Sequence, residues 1–224
     1  GGHVRYEKVF EWMLPTFGEN DEISFFDFMA ARMRNYMVWI MKEKKWKPRY
    51  FNPEKGFTIQ GYMVKRFYGC HMARMLRGFP SVDDDWSTRE PLDSIGSLKE
   101  CMTKNAYEDM YRCMHFSDDW DEKDGAPAWE TVYDDEKYGA SENVEHHRRK
   151  YEHIEDGWNR RWKYCVLFGR WVTGDESRCA GWYHCRITAG PEPKPIRAGT
   201  TLHTICITYG NLATYKLHVR VYRG

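Results

Sequence analysis

Two acids stand apart in the last third of this 224-residue sequence. Asp175 and Glu176 lie in Trp171-Val-Thr-Gly-Asp-Glu-Ser177, the next acid is Glu192, and none follows it. Trp171 to Asp175 fits a short strand, which places the carboxylates near its C-terminal end and on opposite faces, because side chains alternate across a strand. One of them therefore points towards any site built on that face, where a carboxylate can hold a divalent cation or serve only as a turn or cap residue. Cys179, His184, Cys185 and His203 carry the atoms zinc takes, but Cys179-x5-Cys185 is wider than the tight pairs of structural zinc sites. Buried structural cysteines are the plainer reading. Arg148 and Arg149 sit in a basic run after His146-His147, and Lys42, Lys44, Lys45, Lys47 and Arg49 form another before and after Pro48. Such runs either meet a polyanion or coat a solvated face. The sequence has no phosphate loop, no dinucleotide-binding glycine pattern and no Gly-x-Ser-x-Gly elbow.

Helices must position the first part of these groups. Phe26, Met29, Met33, Met37 and Ile40 recur at three and four residues, which predicts one amphipathic helix running into the basic stretch. Thr58 can cap a second helix with Ile59, Met63, Phe67 and Cys70 on one face, ending near Gly78 and Pro80. Ser97 and Glu100 make a capping-box pattern, and Tyr107, Met110, Tyr111 and Met114 mark a third helix. Tyr151, Ile154, Trp158, Trp162 and Cys165 mark a fourth. The stretch 117–141, rich in Asp, Glu and Gly, reads as a solvated acidic loop. After Leu167 the period becomes two, with strands expected at 171–175, 200–208 and 214–222, the last two antiparallel.

Composition narrows the class. Hydrophobic residues make up 42% and aromatic ones 16%, which excludes a disordered chain of the aromatic-poor kind. A mean hydropathy of -0.78 excludes an integral membrane protein, and Arg32 and Arg34 interrupt the most apolar helical stretch. Seven cysteines, an odd number without a Cys-x-x-Cys pair, point to a reducing compartment. The net charge of +1 hides three blocks: +6 over 1–80, -13 over 81–156 and +8 over 157–224. Since the sequence opens Gly1-Gly2-His3, a piece of a longer chain is expected.

Three stretches, in order, resemble the piggyBac-like transposases and the host proteins derived from them. Met102 to Asp118, Met-Thr-Lys-Asn-Ala-Tyr-Glu-Asp-Met-Tyr-Arg-Cys-Met-His-Phe-Ser-Asp, is similar to the family's "M-S-x-x-x-F … R-x-L-H-F-x-D" helix. Ile59 to Trp86 is similar to the helix and "D-x-x-W/F-S" turn before it. Gly169 to Trp182, with Val172-Thr-Gly-Asp-Glu176, is similar to the "G-x-x-x-T-I-D-E-x-x-x-x-F-x-G-R" strand, and a Pro-Lys-Pro loop (193–195) and two strands follow.

The resemblance implies an α+β chain. An N-terminal segment (1–20) precedes a helical dimerisation and DNA-binding region (21–166). The first three antiparallel strands of an incomplete ribonuclease-H-like domain (167–224) follow. In that family three Asp side chains hold two Mg2+ or Mn2+ ions for cleavage and strand transfer, and Asp175 matches the first. The other two belong to segments beyond the third strand, so this chain alone is expected to hold no metal tightly. Two departures stand out: Thr208-Tyr209 where the family often has Asp, and Gly181-Trp182-Tyr183 in place of its Gly-Arg. The implied partners are DNA, met by Lys42, Lys44, Lys45, Lys47, Arg49, Arg148, Arg149, Lys194 and Arg197, and a second copy of the chain, with no membrane. The implied location is the nucleus. A domesticated, non-catalytic DNA-binding or interaction protein, and an unrelated globular domain with a zinc site, are the competing readings.

Overall fold

The computed structural model describes residues 11–79, 81–88, 97–116, 151–165, 171–180, 188–189, 199–208 and 214–221. The chain divides into two compact units, one formed by Ile23–Phe116 and the other by Gly1–Glu22 with Ser117–Gly224. The acidic stretch 117–141 lies outside the described residues.

The unit of 23–116 is helical. Its first helix, α1 (Phe25–Glu43), starts where the Ser24 hydroxyl accepts the Asp27 N–H at 3.2 Å and donates to the Asp27 carboxylate at 2.6 Å. The apolar stripe read from the sequence is the buried face, with Met29, Met33 and Met37 fully inaccessible and Phe25, Phe28 and Ala30 widening it. The helix stops at a C-cap on Lys44, after which Lys45 takes the left-handed conformation (φ 54°). Next, Asn52 and Phe57 pair through two main-chain bonds of 2.8 and 3.0 Å, closing a tight loop around Pro53–Lys55.

Helix α2 (Gly61–Arg77) buries Val64, Phe67 and Cys70 and ends at Gly78, whose φ of 67° only glycine adopts at little cost. Its N-cap is Gln60, without a side-chain cap bond, rather than the expected Thr58. The Asp27 carboxylate of α1 lies so close to Gly61 that a Cβ there would collide with it. A four-residue helix, α3 (Val82–Asp85), follows, capped by Ser81. The capping pattern at Ser97 starts only a 3-10 turn (Leu98–Glu100), and Thr103 caps the true helix, α4 (Lys104–Cys113), by accepting the Ala106 N–H at 3.3 Å. Tyr107, Met110 and Cys113 of α4 complete the core with α1 and α2. Burial pushes the Cys113 thiol up to about 12 and, helped by Cys101, that of Cys70 to about 11. Both behave as small apolar groups.

The other unit contains the short strand β1 (Thr16–Phe17), helix α5 (Glu152–Cys165) and an antiparallel sheet. Gly157 lets α5 approach Pro15 and Phe17. Strand β2 (Ile23–Ser24) belongs to the helical unit. Strand β5 (Gly199–Thr208) is central to the sheet. It pairs along its length with β3 (Trp171–Ala180), and on its other edge with β4 (Thr188–Ala189) at one end and β6 (Thr214–Val221) at the other. A bulge sets Ile205 opposite His218 but Cys206 opposite Lys216, leaving Leu217 as the extra residue. The strand expected at 171–175 runs on to Ala180, so Asp175 lies in mid-strand and not near its end.

Candidate nucleic-acid interface and the Asp175 strand

Asp175 sits opposite Thr204, whose hydroxyl donates to the Asp175 carbonyl at 3.2 Å. Its Oδ1 accepts the N–H of Glu176 at 2.8 Å, and the side chain is exposed. Glu176 belongs to the opposite face, where the register lines it up with His203 and Arg220. Its carboxylate is 3.5 Å from His203 Nε2. These residues, with Gly174, Ile205 and His218, line a shallow open depression. Among the described residues, no group of three or more His, Cys, Asp or Glu is arranged to hold a metal ion. Asp175 with its single main-chain contact therefore does not fit a divalent ion by itself, which takes six or more oxygens from ligands and water. Of the candidate zinc set, His203 pairs with Glu176. His184 and Cys185 lie outside the described residues, as does the side chain of Cys179.

The basic run at the exit of α1 is on the surface. Lys42, Lys44, Lys45, Lys47 and Arg49 are all exposed. Lys42 lies 3.8 Å from Glu43, and Arg49 pairs with Glu108 of α4. Asp109, almost fully buried, accepts the Tyr50 N–H at 2.7 Å and so fixes the chain just beyond Arg49. Arg148, Arg149, Lys194 and Arg197 lie outside the described residues.

Beside this run stands a cluster that periodicity does not reveal. Tyr36 stacks on His115 with ring centres 4.6 Å apart and planes within 10°, and on Trp39 at 5.6 Å and 21°. Lys44 Nζ lies 5.7 Å from the centre of the Trp39 ring, and Arg112 lies over Trp46 at 5.4 Å. Burial, then the neighbouring Cys113, raises the Tyr36 phenol above its ordinary value, so it stays neutral at physiological pH. The signal available in the sequence was the aromatic content of 36–46, off the buried stripe and interleaved with lysines.

A second polar constellation is structural. Arg74 of α2 donates through Nε to Asp85 Oδ2 at 2.8 Å, and Asp85 is fully buried with Oδ1 unpartnered. The Tyr107 hydroxyl lies 2.9 Å from His71 Nδ1, and the Trp86 indole donates to the Met102 carbonyl at 2.6 Å. The "D-x-x-W" turn at 83–86 thus ties α2 to the entry of α4.

Comparison with known proteins follows the same outline. No curated protein sequence matches the chain. Among solved structures, the fold is similar to that of the piggyBac transposase in its synaptic complex with hairpin DNA, with a TM-score of 0.57 and 15% identity. The match covers 89% of this chain and 38% of that one, so this chain spans well under half the length of the relative. The shared feature is helices followed by an antiparallel sheet, in the order the resemblance to piggyBac-like transposases implies. The family model for Transposase IS4 matches residues 9–220, nearly the whole sequence, and the chain belongs to that family.

Proposed function

We propose that the chain is the DNA-binding and first-strand part of a piggyBac-like cut-and-paste transposase, acting on duplex DNA in the nucleus. The observation that carries this is the exposed basic run Lys42–Arg49, fixed at the exit of a capped, well-packed helix in a chain of the Transposase IS4 family. The four lysines of this run, Lys42, Lys44, Lys45 and Lys47, can each neutralise a phosphate, a contact that holds DNA without reading its sequence, while Arg49 pairs with Glu108 and anchors the run to α4. In this reading the sheet of β3, β5 and β6 is the start of a ribonuclease-H-like domain, and Asp175 is its first acid. Two divalent ions supply the phosphodiester chemistry of such enzymes when all three acids are present. The described residues of this chain do not fit a metal by themselves, and its own part is to hold DNA. A second copy of the chain is the expected protein partner.

Duplex binding as a function of salt tests the reading. If about four phosphates are neutralised, the logarithm of affinity falls with the logarithm of salt with a slope of about -4. Replacing Lys42, Lys44, Lys45 and Lys47 by Ala should remove most of that slope. Absence of binding at low salt, or an affinity indifferent to salt, would refute it. Nicking by the chain with Mg2+ or Mn2+, abolished by Asp175→Ala, would instead assign the chemistry to this segment alone.

A further inference from the structure

Beside the basic run, the helical unit carries aromatic rings that phosphate binding does not use. Tyr36 and Trp39 come from α1, Lys44 and Trp46 from its exit, and Arg112 and His115 from the end of α4, and their rings and cations meet on one surface. All four rings are half-buried, and both cations are exposed. A stack that only fastened α4 to α1 would need neither cation, and the two helices are already joined by the buried stripe Met29, Met33 and Met37 with Tyr107 and Met110.

A second, independent observation comes from the backbone. Lys45 holds φ at 54° in the position after a helix C-cap that glycine normally fills. The conformation costs a side-chain-bearing residue on the order of 1 kcal/mol, and such outliers gather at functional sites. Glycine would relieve it, yet the position next to Lys44, whose ammonium lies over Trp39, carries an exposed lysine.

We propose that this aromatic and cationic ledge binds the unpaired bases of single-stranded DNA. The proposal rests on the duplex-binding reading and adds a second mode to it. In a duplex each base face is covered by its neighbours, so rings and bases meet only where a strand is open. An open strand offers planar faces to stack against Trp39, Trp46 and the Tyr36–His115 pair, while Lys44, Lys45 and Arg112 follow its phosphates. Stacking platforms flanked by cations are the general means of holding single strands without sequence preference.

The test compares three probes of equal length and charge on the intact chain: dT20, an abasic 20-mer with the same sugar-phosphate backbone, and rU20. The expected result is that dT20 binds about 5- to 150-fold more tightly than the abasic strand, since stacking contributes about 1–3 kcal/mol per base. Trp39→Ala should bring dT20 towards the abasic affinity and leave abasic binding unchanged. The abasic comparison needs no variant, so a folding defect cannot obscure it. Equal affinity for dT20 and the abasic strand would overturn the proposal, and tighter binding of rU20 than of dT20 would overturn DNA as the strand. Salt-dependent duplex binding alongside equal dT20 and abasic affinities would remove this inference alone. Loss of duplex binding as well would remove the reading beneath it.

Discussion

The side-chain amide of Asn159 takes both main-chain polar atoms of Val219, accepting its N–H at 2.8 Å and donating to its carbonyl at 2.7 Å. Two residues on, Glu155 accepts the Val221 N–H at 2.8 Å. Helix α5 thereby supplies, from side chains, the ladder bonds that a further strand would give to the edge of β6 away from β5. Asn159 is only 5% exposed, so these bonds are made out of water, where leaving them unmade costs most.

Asn159→Leu keeps the volume and removes both bonds, leaving the Val219 N–H and carbonyl without them. A loss of about 1–3 kcal/mol is expected in the sheet unit. Hydrogen exchange checks it: the Val219 amide should lose protection while amides of α1 keep theirs.

Lys45→Gly should stabilise the helical unit by about 0.5–1 kcal/mol, because the left-handed position carries no penalty for glycine. Urea unfolding reads this as a higher midpoint at unchanged slope. The same variant should bind the abasic strand more weakly, separating the two roles of the residue.

Arg74→Met should be among the most damaging single changes. It keeps the length and apolar stem of the side chain but strips the partner from Asp85, which has no access to water. Breaking a buried pair on one side costs about 3–5 kcal/mol, and the part-exposed Arg74 places the expectation at the lower end. Arg74→Met combined with Asp85→Leu should recover much of the loss, and a midpoint of the pair no higher than that of the single variant would refute the account.

His71 gives the helical unit a pH dependence. Burial, then the charge of Arg74, lowers its protonation below the ordinary 6.5. The unfolded chain therefore takes up the proton first, and stability falls as pH drops from about 6.5 towards the lower folded value, with no contribution above it. Tyr107, which lies against the ring and whose phenol burial pushes up, stays neutral in that range. His71→Gln should remove this component, so the stability difference between wild type and variant should shift in favour of the variant between pH 7.5 and 5.5.

Asp175→Ala should leave stability within about 0.5 kcal/mol, as for most exposed positions, since among the described residues its carboxylate accepts only the N–H of the next residue. Magnesium titrated into the chain should saturate no tighter than millimolar. Saturation at micromolar magnesium, abolished by Asp175→Ala, would reverse that expectation.

Local regularities were legible in the sequence. The spacing of Met29, Met33, Met37 and Ile40 defined the buried face of α1 because helix packing needs one continuous stripe. Alternation marked β6, and the position of the Val-Thr-Gly-Asp-Glu segment among helices and strands carried the family. Bounds that depend on competition between neighbours were harder. Thr58 has the hydroxyl for a cap, yet the chain turns into α2 two residues later, where Gly61 can pass the Asp27 carboxylate. Ser177 and Arg178 interrupt the apolar pattern in the strand of Asp175, whereas its pairing with β5 fixes ten residues. Asn159 and Val219 are 60 residues apart, and no period links them. Likewise Tyr36 and His115 meet only after α1 and α4 have packed.

The two borders of the sheet are unequal. At β6 the main-chain groups of Val219 and the N–H of Val221 are taken by Asn159 and Glu155, whereas the border of β3 away from β5 faces no other strand among the described residues, and Trp171 and Val172 there are 64% and 59% exposed. A strand can be added only where main-chain groups are still free to pair. Among the described residues, the border of β3 is therefore where a further strand would extend the ladder, and α5 bars the corresponding addition at Val219 and Val221 of β6.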